Sequence, residues 1–249
     1  MIPTDFYVFY ALEILKTFYN LLKLWYHTET GVFMSDKIKI VYRGGEGEIV
    51  EKKSRFIAYV KPVNSEEEAA IFIDSIKKMN WNAKHNCSAA VVGENNEFTR
   101  CNDDGEPAST AGKPMLEVLV NEGVHNVAVV VTRYFGGILL GTGGLVRAYQ
   151  AAVKAGLEAC TIVEKQKGAK YIVKTDYNGV GKIQYIIASM GLVTINTEYT
   201  EEVAIEVMVP VSVEKEFVDK IIDGTNGRGI VEKGNEVFYA VVDGNVEIL

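Results

Sequence analysis

The stretch VVVTRYFGGILLGTGGLVRAY, residues 129–149, decides how this chain folds. It passes from a continuous apolar run, through five glycines set between Arg133 and Arg147, into a helical pattern. A run such as NVAVVVT (126–132), continuously apolar from Val127 to Val131, predicts a strand covered on both faces and so central in its sheet. The segment GGLVRAYQAAVKAGLEA (143–159) predicts a long helix that starts inside the glycine cluster. Strand, glycine turn and helix start therefore follow one another within about twenty residues.

Directly upstream lies DDGEPASTAGKPMLEVLV, residues 103–120, an acidic loop followed by a second helix pattern. Ser109 or Thr110 is expected to cap that helix, Met115, Leu116, Leu119 and Val120 to form its apolar face, and Gly123 to end it. A helix start leaves N–H groups unpaired and carries partial positive charge, so it attracts anions. Gly112 permits close backbone approach, and Pro114 has no N–H to leave unpaired. Gly136, Gly137, Gly141, Gly143 and Gly144 allow tight or left-handed turns, and Lys113, Arg133 and Arg147 add cations beside them. Phosphate is the ligand such a site suits. Glycines that only make a tight crossover are the structural alternative. Neither Gly-x-Gly-x-x-Gly nor Gly-x-x-x-x-Gly-Lys-Ser/Thr occurs here, so no nucleotide fingerprint and no cofactor are expected.

Asp103, Asp104 and Glu106 admit two readings. With His85 as partner they could supply a hydrolase with a general base or metal ligands. They could equally hold Arg133 or Arg147 in place, or cap turns. The two helix starts, near Thr110 and Thr142, are expected to converge on one pocket with Asp103 and Asp104 at its rim. No metal site is expected, because His85 and Cys87 have no second pair at zinc spacing.

The rest of the chain is ordinary. A length of 249 residues, 48% hydrophobic and 24% charged, fits a soluble protein of one large or two ordinary domains. The net charge of −7 opposes broad non-specific binding to nucleic acid, which leaves only a local site for RNA. Three cysteines, without a Cys-x-x-Cys pair or a secretion signal, fit reduced thiols in the cytoplasm. GEIVEKKSRFIAYVKPV (47–63) reads as one or two strands, and NCSAAVVG (86–93) with NEFTRCN (96–102) as a hairpin. NSEEEAAIFIDSIKKMN (64–80) reads as a helix with a Ser65–Glu68 capping box and an apolar face of Ala69, Phe72, Ile73 and Ile76.

VEKQKGA (163–169) is expected to be a linker. Beyond it the order strand, helix, strand, strand, helix, strand is the ferredoxin-like βαββαβ unit. That region holds 8 Lys and Arg against 13 Asp and Glu over residues 167–249, and its acidic face could meet a protein partner. At the other end, residues 7–26 carry a helical pattern with a wide aromatic face. Three charges within it argue against a membrane span. Met34 opens an ordinary start, so residues 1–33 read either as upstream sequence or as a helix for a partner or membrane surface.

KHNCSAAVVG (84–93), DDGEPASTAGKPML (103–116) and the 129–149 stretch, in this order and spacing, resemble the signature of the YigZ/IMPACT family. With the βαββαβ tail the resemblance covers about Ile40 to Val242. It implies an α+β protein of two α/β sandwich domains. Residues 34–163 would be similar to a ribosomal-protein domain with a left-handed βαβ crossover. Residues 168–249 would resemble the ferredoxin-like last domain of elongation factor G. Both implied fold types suggest contact with RNA or the ribosome. Eukaryotic relatives regulate translation under amino-acid starvation, but their companion RWD-type module is absent here, so that kinase-pathway role is not implied. Regulation of translation is the family's broad implication.

Overall fold

The computed structural model describes residues 37–249, which form a single unit. The first half of that unit runs β1 (Lys37–Arg43), β2 (Gly45–Glu51), β3 (Ser54–Pro62), α1 (Glu66–Met79), β4 (His85–Val92) and β5 (Phe98–Asn102). It continues with α2 (Gly112–Glu122), β6 (Val124–His125), β7 (Val127–Tyr134) and α3 (Thr142–Glu158). The second half runs β8 (Thr161–Thr175), α4 (Val180–Ser189), β9 (Val193–Tyr199), β10 (Val203–Pro210), α5 (Glu214–Gly224), β11 (Ile230–Val242) and β12 (Asn245–Ile248). The helical pattern read at 7–26, and the question of residues 1–33, lie outside the described residues. Among the described residues no helix is long and apolar enough to cross a membrane.

The apolar run at 126–132 forms the centre of a five-stranded sheet ordered β2-β3-β7-β4-β5. Every neighbouring pair in it is antiparallel. Period-two alternation then sends β7 into two cores. Val127, Val129 and Val131 pack with Met115, Leu119 and Tyr149 of α2 and α3. Ala128 and Val130 pack with Phe72 and Ile76 of α1 on the other face. Strands β3 and β4 flank β7, run parallel to each other and are joined by α1.

Local signals explain α1 and most of α2. Ser65 Oγ accepts the Glu68 N–H at 3.1 Å, and Glu68 reaches back to the Asn64 N–H at 2.8 Å, one residue beyond the expected reciprocal bond. Gly123 ends α2 in the left-handed conformation, at φ 64°. The apolar face of α2 is rotated from the expected one: Val118 is buried, whereas Val120 is exposed.

The charged segment 163–169 is not a linker. It lies inside β8, whose first half pairs with β1 and whose second half pairs with β10, while β11 runs alongside. Its charges are matched across elements rather than solvated as a loop. Glu164 pairs with Lys37, Lys165 with Glu94 and Lys167 with Glu236. At Gly168 a Cβ would lie 2.6 Å from both Val209 O and the Tyr239 ring, so the crowded sheet excludes a side chain there. The βαββαβ unit folds as β9-β10-β8-β11, with β12, β1 and β6 enlarging the same sheet. The fold is α+β with two sheets.

Candidate anion-binding cleft

Each carboxylate of the acidic loop has a structural partner. The loop bends through left-handed residues at Asp104 (φ 43°), Gly105 (φ 83°) and Ser109 (φ 62°). This bend returns Asp103 to the start of α2. Its Oδ1 accepts the N–H groups of Ala111 and Gly112 at 3.0 and 2.8 Å, and its Oδ2 accepts that of Ser109 at 2.8 Å. Ser109 and Thr110 are therefore not the caps. Thr110 Oγ1 instead donates to Pro107 O at 2.6 Å. An internal carboxylate fills the anion position at α2, so the amides of Ala111 and Gly112 are already bonded within the chain. Gly112 serves packing, since a Cβ there would lie 2.7 Å from the Asn102 nitrogen. Lys113 is exposed.

Asp104 accepts from Lys77 Nζ at 2.8 Å and from the Asn86 N–H at 2.7 Å. His85 meets not its carboxylate but its main-chain oxygen, through Nδ1 at 2.9 Å. A carbonyl only accepts, so Nδ1 carries the proton and, in the neutral imidazole, Nε2 is the lone-pair acceptor. The His–carboxylate dyad of the hydrolase reading is not formed. Glu106 is buried, and its Oε1 accepts from Arg133 Nη1 at 2.6 Å and from the Tyr149 hydroxyl at 2.9 Å. The Cys87 thiol sits 3.3 Å from that hydroxyl. Burial pushes the Cys87 thiol up to about 12 and the Tyr149 hydroxyl far above the tyrosine range, so both stay protonated.

The second helix start is different. Gly141 precedes α3 at φ 71°, and no side chain caps the helix. Among the described residues the N–H groups of Thr142, Gly143 and Gly144 meet no acceptor outside α3, and the first ladder bond is Leu145 N–H to Gly141 O at 3.0 Å. This start opens on a cleft of about 460 Å³. Lys84, His85, Glu106 and Arg133 supply its polar lining, and Phe135, Leu139, Leu140 and Leu145 its apolar walls. Arg133 is 6% exposed, and its Nε is buried without a hydrogen-bond partner. Its guanidinium lies between the rings of Phe56 and Phe135, at 5.4 and 5.6 Å. In the sheet it stands directly opposite Phe56 on one side and His85 on the other.

The expected site residues thus separate. Arg133 and Gly141 line the cleft, and Gly143 and Gly144 belong to the helix start that opens on it. The two helix starts do not share it, and the loop supplies Gly105, Glu106 and Pro107 to its lining rather than Asp103 and Asp104. Gly136 is a packing residue: a Cβ would lie 2.0 Å from the Lys53 carbonyl carbon, and its N–H donates to Ser54 Oγ at 3.1 Å. Gly137 supplies a left-handed turn, at φ 85°. At Gly143 neither reason holds, because its φ is ordinary and the nearest atom to a Cβ would be Arg147 Nη1 at 3.7 Å. Arg147 is exposed, one turn along α3, and does not line the cleft. Lys84, Phe135, Leu139, Leu140 and Leu145 were missed. The signal for some of them was present, since Phe135, Ile138 and Leu139 are too apolar for a solvated glycine loop, and Leu139 is 83% exposed.

Comparison with known proteins places this region in a family. The Impact N-terminal domain matches residues 52–157, which include every cleft residue, and a domain of unknown function (DUF1949) matches 173–228. IMPACT family member YvyE of Bacillus subtilis is 43% identical over 194 residues, covering 78% of this chain and 89% of that protein. The chain belongs to the YigZ/IMPACT family. IMPACT family member YigZ of Escherichia coli is 38% identical over 178 residues, covering 71% of this chain and 87% of its own length. A crystal structure described as a hypothetical protein is 34% identical, covers 80% of this chain and 98% of that one, and superposes with a TM-score of 0.51.

Proposed function

We propose that this IMPACT-family chain acts in the regulation of translation by contacting RNA or the ribosome at the α3 cleft. The open amide row at the start of α3, on the cleft that Arg133 also lines, carries the proposal. A buried guanidinium N–H without an acceptor costs about 1–3 kcal/mol, so an anionic ligand that satisfies it recovers that cost. Amides and guanidinium together favour a phosphate oxygen. The same cleft gives a reason for a glycine at 143, where neither backbone conformation nor packing requires one.

Net acidity limits such contact to this local site. Ribosome co-sedimentation at two salt concentrations tests it. Wild-type protein pellets with ribosomes and is released as salt rises. Thr142→Glu, which puts a carboxylate over the open amides at an exposed position, abolishes pelleting, whereas Lys113→Ala leaves it unchanged. Equal pelleting of wild type and Thr142→Glu would overturn the assignment.

A further inference from the structure

The cleft is small and only partly polar, which limits what it can hold. Its volume of about 460 Å³ lies within the usual range for a small-molecule site and cannot admit a double helix. Beside Lys84, Thr142 and the Arg133–Glu106 ion pair, its polar groups differ in kind. The α3 amides and Arg133 Nε donate, whereas His85 Nε2 accepts, because Nδ1 is already committed as donor to Asp104 O. Donors for an anion and an acceptor for a hydroxyl or amine therefore face one space.

Their order follows from the sheet. His85 and Arg133 are direct cross-strand partners, so their side chains leave the same face as neighbours. The Arg133 guanidinium also packs on Phe135, which is 54% exposed and has area left for a further flat group. An aromatic ring beside a phosphate site is a stacking platform for a base.

From this juxtaposition we infer that the cleft takes one unpaired ribonucleotide of an RNA strand, and reads it as RNA. The inference rests on the reading of the cleft as the RNA contact. The phosphate lies on the α3 amides and Arg133, the 2′-hydroxyl donates to His85 Nε2, and the base packs on Phe135 and Leu139. The 2′-hydroxyl is the group that separates RNA from DNA, and the neutral imidazole of His85, cross-strand partner of Arg133, offers it an acceptor. A peptide ending in a carboxylate would use the same donors and is one of the outcomes the test separates.

Fluorescence anisotropy with a 5′-phosphorylated pentauridylate and its 2′-deoxy counterpart tests this on the full chain. The ribo-oligonucleotide should bind about tenfold more tightly, the size of one hydrogen bond to a buried acceptor. His85→Ala should bring the two affinities together, and Phe135→Ala should weaken both by about fivefold or more. The ribo/deoxy comparison on wild-type protein needs no variant to fold. Equal affinities for the two strands, or Phe135→Ala without effect, overturn the inference. If Thr142→Glu still abolishes ribosome pelleting in that case, the RNA contact stands and only the single-ribonucleotide reading fails. If neither oligonucleotide binds and a peptide with a free C-terminal carboxylate does, both fail.

Discussion

Arg133 Nη1 donates to Glu106 Oε1 at 2.6 Å while the two side chains are only 8% and 3% exposed. The pair ties the acidic loop to the central strand, and the Tyr149 hydroxyl ties it to α3. Three elements that build the cleft therefore meet on one carboxylate. Glu106→Gln keeps an acceptor for Tyr149 but leaves the guanidinium buried without a counter-charge. Urea denaturation should show a loss of about 3–5 kcal/mol. Replacing both partners, as Arg133→Met with Glu106→Leu, should recover much of that stability.

Asp103, not Ser109 or Thr110, caps α2, so its removal should be felt. Asp103→Ala leaves three N–H groups without their acceptor and should lower stability by about 2 kcal/mol in thermal or urea melts. Ser109→Ala, whose side chain does not cap the helix, should stay within about 0.5 kcal/mol of wild type.

Gly136 and Gly143 differ in what the fold asks of them. Gly136→Ala forces a Cβ against the Lys53 backbone and should destabilise by roughly 1–3 kcal/mol. Gly143→Ala meets only the end of Arg147, and should leave stability unchanged or raise it by up to about 1 kcal/mol. It should nonetheless weaken ribosome and RNA binding. Denaturation curves and co-sedimentation on the same two proteins check both halves.

Alkaline pH should destabilise the chain in a defined window. Burial raises Cys87 to about 12, Cys160 to about 11 and Tyr239 to about 12. In the unfolded chain these thiols ionise near 9.0 and the tyrosine near 10.0. Below pH 9 both states hold the protons, and stability does not depend on these groups. Above it the unfolded chain releases protons that the folded chain keeps, so stability falls as pH rises from 9 toward 12. Urea midpoints at pH 7, 9 and 10.5 should show little change over the first interval and a clear drop over the second.

Elements with a strong period were legible in the sequence, and those set by distant partners were not. The 126–132 run could only be a covered strand, and Ser65 with Glu68 marked the start of α1. Nothing in DDGEP distinguishes Asp103, Asp104 and Glu106, because their roles depend on α2, Lys77 and the Arg133–Tyr149 pair. Asp104 and Ser109 take left-handed backbone without being glycine, which hid the bend that returns Asp103 to α2. The charges of 163–169 resembled a linker because their partners lie elsewhere in the chain, on Lys37, Glu94 and Glu236. At the cleft, arginine and glycine were visible as types. That Arg133 would be lining and Arg147 would not depends on which face of α3 packs on the sheet.

Amide chemical shifts test the central claim most directly, because they report the two helix starts separately. On titration with a 5′-phosphorylated oligoribonucleotide, the N–H signals of Thr142, Gly143 and Gly144 should move in a saturable way. Those of Ala111 and Gly112, already bonded to Asp103, should stay in place. Movement at Ala111 and Gly112 instead, or no movement at Thr142, Gly143 and Gly144 while ribosomes are still bound, would contradict the account.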